Sequence, residues 1–143
     1  MVALGEPLDI VTSYRRSQIM AGIRSKDTQP ELIVRRVAHS MGLRFRLHRR
    51  DLPGSPDLVF PRWRLAVFVH GCFWHRHEGC RLAAQPKTRP EFWRQKFEAN
   101  IRRDRGAIDQ LTGLGWRVEV IWECETRNPV EVASRLSLAT TGR

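Results

Sequence analysis

The segment HGCFWHRHEGC, residues 70–80, constrains this chain more than any other part of its sequence. It follows the apolar run LAVFV, residues 65–69, which is typical of a strand buried on both faces in a sheet covered by helices. Because thiolates and imidazoles are good ligands for Zn²⁺, the spacing of Cys72, His77 and Cys80 predicts a metal-binding loop at the end of that strand.

Cys124 is the only other thiol in the chain, and it can complete a tetrahedral Cys₃His set with the three loop residues. The alternative is that these are ordinary buried cysteines with a histidine nearby. The compact spacing favours Zn²⁺, and four protein ligands leave no position for a catalytic water. We therefore predict a structural zinc that fixes the loop to the last strand, with His70 and His75 outside the metal set.

The chain is strongly basic, with a formal net charge of +10 over 143 residues. Its arginines occur in clusters, which suits phosphate contacts, and five tryptophans offer surfaces on which bases can stack. These features indicate a nucleic-acid partner, although a solvated basic surface is the plainer alternative. No signal peptide or membrane-length apolar run is present, so we expect a cytoplasmic protein without a membrane partner.

Hydrophobic periodicity predicts one domain with elements in the order ααβββαβ and a mixed sheet between helices. The predicted helices cover residues 13–24, 29–41 and 90–112, and the predicted strands cover residues 43–47, 57–60, 65–69 and 116–122. Capping-box spacing at TQPE and TRPE marks the start of the second and third helices. We expect residues 1–12 to be a flexible segment, 13–128 the folded domain, and 129–143 a tail with little regular structure.

Asp57 ends the sequence PGSPD at the start of one strand, just before the strand that ends at His70. Nucleases of the restriction-endonuclease type bind Mg²⁺ with an Asp in this position and a Glu-x-Lys on the next strand. Here Phe68-x-His70 replaces Glu-x-Lys, so Asp57 would be the main protein ligand of a sparsely held Mg²⁺. The alternative is that Asp57 only caps the turn after the proline.

Five motifs resemble the very short patch repair (Vsr) endonuclease family: PGSPD, HGCFWH, TRPEFW, NIRRD and GWRVEVIWEC. The resemblance runs from about residue 16 to 128. It implies a restriction-endonuclease-like three-layer α/β/α fold with a central mixed sheet and a structural zinc site. It also implies an Mg²⁺-dependent, strand-specific endonuclease that nicks DNA 5′ to the thymine of T·G mismatches left by deamination of 5-methylcytosine.

The resemblance also assigns roles to residues of this chain. Asp57 and the backbone carbonyl of Val69 would hold Mg²⁺, and His75 would activate the attacking water. The implied catalytic set contains three acids and two histidines: Asp57, Glu31, Asp104, His70 and His75. Two alternatives stay open from the residues themselves, because Glu31 can be only the capping-box partner of Thr28 and Asp104 a solvated helix charge.

Mismatch recognition requires an opened duplex, and the resemblance implies that side chains insert into it. The implied wedge residues are Phe73, Trp74, Trp93 and Met20. The alternative is that the aromatic residues are core, as we expect for Trp116 and Trp122 on the last strand.

Two other functions compete with mismatch repair. A non-catalytic zinc-containing DNA-binding module would share the charge and the thiols, but it would need neither Asp57 nor two further histidines. A nuclease of the same fold could serve restriction or general repair. If the function is mismatch repair, we expect a monomer that binds T·G-containing duplex DNA and is located at the nucleoid, with a MutL-type repair protein as a possible partner.

Overall fold

The computed structural model describes residues 27–141, which form one sheet and three α-helices. The helices are α1 (Gln29–Ser40), α2 (Pro90–Gly113) and α3 (Pro129–Ala139). The strands are β1 (Arg46–Leu47), β2 (Leu58–Phe60), β3 (Leu65–His70) and β4 (Arg117–Trp122). Short 3₁₀ turns occur at Pro61–Trp63, Arg81–Ala83 and Glu123–Arg127. The predicted helix at 13–24, with Met20, lies outside the described residues.

The sheet is mixed, as the element order predicts. Its strand order is β1-β2-β3-β4, with antiparallel pairing for β1–β2 and β2–β3 and parallel pairing for β3–β4. Parallel strands need a long crossover, and α2 provides it between β3 and β4. In this register His70 pairs with Trp122, so β3 and β4 end at the same edge of the sheet.

Helices cover both faces of this sheet. Alternate residues of β3 point to opposite faces, so Val67 and Val69 pack in one core with α1 and α3. Ala66 and Phe68 pack on the other face with Leu111 of α2. All six residues of β3 are buried, which confirms the prediction of a strand covered on both faces. The chain therefore has an α/β architecture in three layers.

Helix α1 begins as its capping pattern predicts. The Oγ1 atom of Thr28 accepts a hydrogen bond from the backbone N–H of Glu31 at 3.3 Å, and Pro30 lies in the first turn. Val34 and Ala38 are fully buried against the sheet. This anchoring places Glu31 at the end of the helix that faces the cleft described below.

The capping box predicted at Thr88 is wrong. The N-cap of α2 is Arg89, which has a φ of 52° and makes no side-chain capping bond. The residue before a proline is disfavoured in the right-handed helical region, and here Pro90 is the first helical residue. Helix α2 then runs over 24 residues and buries Trp93, Phe97, Asn100 and Leu111.

The expectation of little regular structure after residue 128 is also wrong, because residues 129–139 form α3. The side chain of Asn128 accepts a hydrogen bond from the N–H of Val130 at 3.1 Å and caps the helix. Val132 and Leu136, one turn apart, are fully buried in the core shared with α1. Exposed apolar residues on the same helix, Val130 among them, hide this short stripe in the sequence. No helix within the described range is long and apolar enough to cross a membrane.

Replacement of Leu136 by alanine should lower the free energy of unfolding by about 2–5 kcal/mol, because it leaves a cavity in a fully buried site. Leu138→Ala is the matched control on the same helix. Its side chain is 71% exposed, so the change should stay within about 0.5 kcal/mol. Urea unfolding measures both variants, and equal values would show that α3 does not belong to the core.

Candidate active site and metal centre

An open cleft of about 1180 Å³ lies where β3 ends, between the start of α1 and the middle of α2. Residues from five separate parts of the chain line it. They include every acid and histidine of the predicted catalytic set, namely Glu31, Asp57, His70, His75 and Asp104. The fold thus brings this set together within one concave surface.

Asp57 lies at the base of the cleft and is only 9% exposed. Its Oδ2 atom accepts a hydrogen bond from the N–H of Val69 at 2.7 Å, so the carboxylate bonds to β3. Burial and the neighbouring carboxylate of Glu31 raise the pKa of Asp57 to about 8, although the Val69 N–H and Arg35 oppose this shift. Two buried carboxylates side by side form a donor set that suits a hard divalent cation.

Glu31 takes part in both of the arrangements that its sequence position allows. Its backbone N–H donates to Thr28, as a capping residue does. Glu31 is only 2% exposed, and its carboxylate accepts a hydrogen bond from the backbone N–H of Asp27 at 2.9 Å. The same carboxylate contributes to the raised pKa of Asp57. The carboxylate of Glu31 therefore lies in the cleft, and helix capping explains only the bond from its backbone N–H to Thr28.

Arg35 lies behind Glu31 and supplies positive charge to this end of the cleft. Its Nη2 atom is 2.6 Å from Oδ1 of Asp27, 3.4 Å from Oε1 of Glu31 and 3.0 Å from Nε2 of His48. Arginine carries only donors, so Nε2 of His48 is the acceptor and the imidazole proton is on Nδ1. No local pattern predicts the contact of His48 with this network, because His48 lies 13 residues beyond Arg35 in the chain.

His75 and Asp104 form a hydrogen-bonded pair in the cleft. Nδ1 of His75 is 2.6 Å from Oδ2 of Asp104. A carboxylate can only accept, so Nδ1 carries the proton and Nε2 of His75 is left with its lone pair. This is the arrangement that a general base requires, and it gives Asp104 a defined contact instead of a solvated helix position.

His70 stacks against His75 with 3.9 Å between ring centroids and 5° between planes. Its Nε2 atom is 4.0 Å from Oδ1 of Asp104. Burial, and secondarily the charge of His75, lower the pKa of His70 to about 4, so its imidazole is neutral at pH 7. Its Nδ1 atom is buried and has no hydrogen-bond partner among the described residues.

Asn100 positions the loop that carries His75. It lies one helical turn before Asp104 on α2, so both side chains point towards the loop. Nδ2 of Asn100 donates to the carbonyl oxygen of Trp74 at 2.9 Å, and Arg103 donates to Oδ1 of Asn100. The sequence analysis did not assign a role to Asn100, although its spacing of four residues from Asp104 in NIRRD was the available signal.

The four residues of the predicted metal set meet at the same sheet edge. Their ligand atoms all lie within 4.8 Å of one another. Nδ1 of His77 is 3.5 Å from Sγ of Cys72 and 3.5 Å from Sγ of Cys124. Tetrahedral coordination with ordinary zinc bond lengths would separate sulfur and nitrogen ligands by about 3.6 Å. The group of Cys72, His77, Cys80 and Cys124 can therefore hold a metal ion.

Several contacts support the shape of this centre. Gly79 has a φ of +72°, which lets the chain turn between His77 and Cys80. The imidazole of His77 stacks on Trp122 with 4.2 Å between centroids. Oε1 of Glu123 accepts from the N–H of Cys72 at 3.2 Å, a role the sequence analysis missed although Glu123 belongs to the WEC motif.

The predicted wedge aromatics form one cluster with α2. Phe73 and Trp74 are half-buried, with ring centroids 4.9 Å apart. Trp93 lies 5.6 Å from Phe73 and 5.9 Å from Trp74, and it is only 4% exposed. Trp74 reaches the cleft beside His75. The cluster therefore presents Phe73 and Trp74 at the surface and keeps Trp93 beneath them.

The two tryptophans expected in the core are half-buried. Trp116 packs at the edge of the core between the sheet and α2, and the guanidinium of Arg64 lies 4.9 Å from its ring. Trp122 lies at the end of β4 between the two sites, because its ring contacts both His70 and His77. Trp122 thus joins the metal centre to the cleft.

The three-layer fold and this cleft define the class of protein: an α/β enzyme whose acids and histidines meet beside a Cys₃His metal-binding group. The chain belongs to the family described as "DNA mismatch endonuclease Vsr", whose family model matches residues 8–81. The resemblance found in the sequence is thereby confirmed. Members of this family are endonucleases, so the chain is a hydrolytic enzyme of the Vsr type.

Curated relatives match nearly the whole chain. The chain is 51% identical over 128 residues to "Type II nicking enzyme V.XorIIP" of Xanthomonas oryzae pv. oryzae, covering 90% of this chain and 93% of that protein. It is 43% identical over 119 residues to "DNA mismatch endonuclease Vsr" of Escherichia coli, covering 83% and 76% respectively. It is 38% identical over 129 residues to "Type II nicking enzyme V.NmeAIP" of Neisseria meningitidis, covering 90% and 91%.

The buried carboxylate of Asp57 should make stability depend on pH. Because its pKa is raised to about 8 in the folded state, the folded protein binds this proton more tightly than the unfolded chain does. The resulting stabilisation is complete below the unfolded pKa of about 4 and is lost as pH rises towards 8. In Mg²⁺-free buffer, the unfolding free energy of wild type should therefore fall relative to Asp57→Asn between pH 5 and pH 8.

Asparagine keeps an acceptor for the Val69 N–H but does not titrate, which makes it the appropriate comparison. Addition of Mg²⁺ at constant ionic strength should restore wild-type stability at pH 8 and have little effect on Asp57→Asn. Urea unfolding at several pH values measures both effects. Parallel pH profiles for the two proteins would contradict the shift.

Proposed function

We propose that this protein is an Mg²⁺-dependent, strand-specific DNA endonuclease of restriction-endonuclease-like fold. It nicks 5′ to the thymine of T·G mismatches that arise from deaminated 5-methylcytosine. The observation that carries this proposal is the meeting of a buried carboxylate pair, Asp57 and Glu31, with the hydrogen-bonded pair of His75 and Asp104 in one cleft. A DNA-binding module without catalysis would have no use for that arrangement.

Asp57 and the backbone carbonyl of Val69 are the proposed ligands of Mg²⁺. The two residues are already joined by the hydrogen bond from the Val69 N–H, so they face the cleft at one point. Glu31 adds a second buried carboxylate next to Asp57. When bound, Mg²⁺ would stabilise the charge that develops on the phosphate and on the leaving oxygen.

His75 is the proposed general base. Asp104 holds the proton on Nδ1, so Nε2 of His75 can accept the proton of the attacking water. His70 stays neutral beside it, and its lowered pKa prevents a second positive charge from competing with protonation of His75. The unpaired Nδ1 of His70 is buried, so His70 acts through the stacking of its ring on His75. These two histidines divide proton transfer and positioning between them.

Phe73 and Trp74 are the proposed wedge that enters the base stack at the mispair. Both are half-buried on the loop that carries His75, and Trp74 lines the cleft itself. Insertion of an apolar side chain is cheapest where stacking is already weak, as it is at a mismatch. Trp93 and Met20 complete the proposed intercalating set, with Trp93 supporting the two loop aromatics from below.

The proposed metal of the Cys₃His group is Zn²⁺ in a structural role. Three thiolates and one imidazole are its preferred donors, and the spacing of 3.5 Å between ligand atoms suits its tetrahedral geometry. A full set of four protein ligands leaves no position for substrate. The metal would hold the His75 loop to the end of β4.

The remaining proposals concern partners and setting. The substrate is duplex DNA with a T·G mismatch, bound by a monomer in the bacterial cytoplasm at the nucleoid, with assistance from a MutL-type repair protein. A restriction-associated role is the second candidate, and two relatives that are named type II nicking enzymes favour it. General DNA repair is a weaker alternative that no further observation favours.

Nicking assays on two duplexes that differ only in one T·G or T·A pair decide between these functions. With Mg²⁺, the wild-type enzyme should nick a T·G duplex 5′ to the thymine and leave an otherwise identical T·A duplex intact. Since the flanking sequence is unknown, the duplexes should sample many sequence contexts in one pool. Equal nicking of both duplexes would indicate a restriction or general-repair nuclease, and no nicking would indicate a binding module.

Variants of the two proposed catalytic residues should separate chemistry from binding. Asp57→Ala should abolish nicking while DNA affinity stays equal or rises, because a carboxylate that repels phosphate is lost. His75→Ala should slow cleavage by about 10²-fold or more, as loss of a general base usually does. Asp109→Ala, an exposed acid on the same helix as Asp104, is the control. Wild-type rates in both variants would place the active site elsewhere.

Purified protein should contain about one zinc per chain, and Cys124→Ser should lose it. Thermal stability should fall together with the metal, because the binding energy of a structural zinc is part of the folding energy. Elemental analysis and thermal unfolding of the same samples measure the two losses. Folded protein without zinc, or a Cys124→Ser variant that retains it, would contradict the assignment.

A further inference from the structure

Arg76 bonds to two parts of the metal-binding loop. Its guanidinium donates to the carbonyl oxygen of Phe73 at 3.1 Å, in the turn that carries the proposed wedge. It also donates to the carbonyl oxygen of Ala83 at 2.7 Å and to Oε1 of Gln85 at 3.1 Å, both beyond the last cysteine of the loop. One side chain therefore bonds to the turn and to the segment that leaves the loop.

The flat face of the same guanidinium covers aromatic rings. Its central carbon is 4.0 Å from the centroid of Phe97 and 5.4 Å from that of Phe73. Phe97 belongs to α2 and is only 6% exposed, so it is a fixed support. Cation–π contact at these distances is attractive. Arg76 thus lies between the rigid helix and the aromatic turn and contacts both.

Only arginine can make this set of contacts. Its planar group has five donors in a fork and a face that stacks on rings, whereas lysine has a compact ammonium with three donors and no planar face, so it cannot bond to these acceptors and stack on a ring at the same time. The backbone of Arg76 adopts a φ of 53°, a conformation that non-glycine residues rarely hold without support from their surroundings. The side-chain contacts provide that support.

We propose that Arg76 is a positioning residue that sets the preference for mismatched DNA by fixing the turn of Phe73 and Trp74 before DNA binds. This inference rests on the proposed function. A wedge that is already ordered loses less conformational entropy when it enters the duplex. The wedge makes its contacts only at an opened mispair. Disorder in the turn therefore weakens binding to T·G duplex and leaves binding to T·A duplex unchanged. The charge of Arg76, in contrast, acts on both duplexes alike.

The test is Arg76→Lys, which keeps the charge and removes the fork and the ring contact. In a competition titration at one salt concentration, its preference for T·G over T·A duplex should fall by about tenfold, as loss of hydrogen bonds to a charged group permits. Arg81→Lys is the matched control, an exposed residue of the same loop with the same substitution. Its preference and its zinc content should equal those of wild type.

A second pair of variants separates this inference from the wedge itself. Trp74→Ala should lose most of the T·G preference, and Arg76→Lys should cause no further loss in the Trp74→Ala background. If Trp74→Ala keeps the preference, the proposed wedge fails. If Trp74→Ala loses the preference and Arg76→Lys keeps it, only the role of Arg76 is wrong. Equal weakening of both duplexes by Arg76→Lys would also overturn that role.

The wild-type protein provides a measurement that does not depend on the folding of a variant. In the DNA-free state, the guanidinium protons of Arg76 should give separate NMR signals that exchange slowly with water, because several acceptors hold them. The same signals of Arg81 should be averaged. A single averaged signal for Arg76 in the free protein would show that the turn is not fixed before binding.

Discussion

Parallel pairing of β3 with β4 is the constraint on which both sites depend. Because His70 pairs with Trp122, the two strands end at the same edge of the sheet. The loop after β3 supplies Cys72, His77 and Cys80, and the turn after β4 supplies Cys124. An antiparallel partner would have placed the last thiol at the opposite edge. The parallel register of β3 and β4 therefore places both the metal-binding group and the cleft at this edge of the sheet.

The sequence allowed most of the strands and the meeting of the Cys₃His group to be predicted, because each rests largely on a local pattern. The unbroken apolar run of β3 predicted its burial, and the Cys-His spacing predicted the metal group. The misses were also local. Pro90 set the start of α2 against the signal at Thr88, and the three buried residues of α3 were hidden among exposed apolar neighbours. Neither error moved a site residue, because α2 still presents Asp104 to the cleft.

Contacts between distant segments could not be predicted in the same way. His48 meets Arg35 and Glu31 only because α1 packs beside the loop before β2, and no spacing in the chain predicts this contact. Arg135 of α3 bonds to Glu119 and Glu125, on either side of Trp122, and so ties the C-terminal helix to the strand end that carries Cys124. Long-range polar contacts of this kind can be identified only once the tertiary structure is known.

The electrostatic design of the cleft links metal binding to substrate binding. The chain carries a net charge of +10, yet the cleft floor holds two buried acids, and burial together with the charge of Glu31 raises the pKa of Asp57 to about 8. Without a cation, Asp57 therefore holds its proton at neutral pH and these two acids offer no positive charge to a phosphate, while basic residues elsewhere attract the rest of the duplex. The proposed divalent cation at Asp57 would replace that proton and supply the missing positive charge. Productive placement of the phosphate would then need the metal before or together with DNA, because the basic surface lies elsewhere.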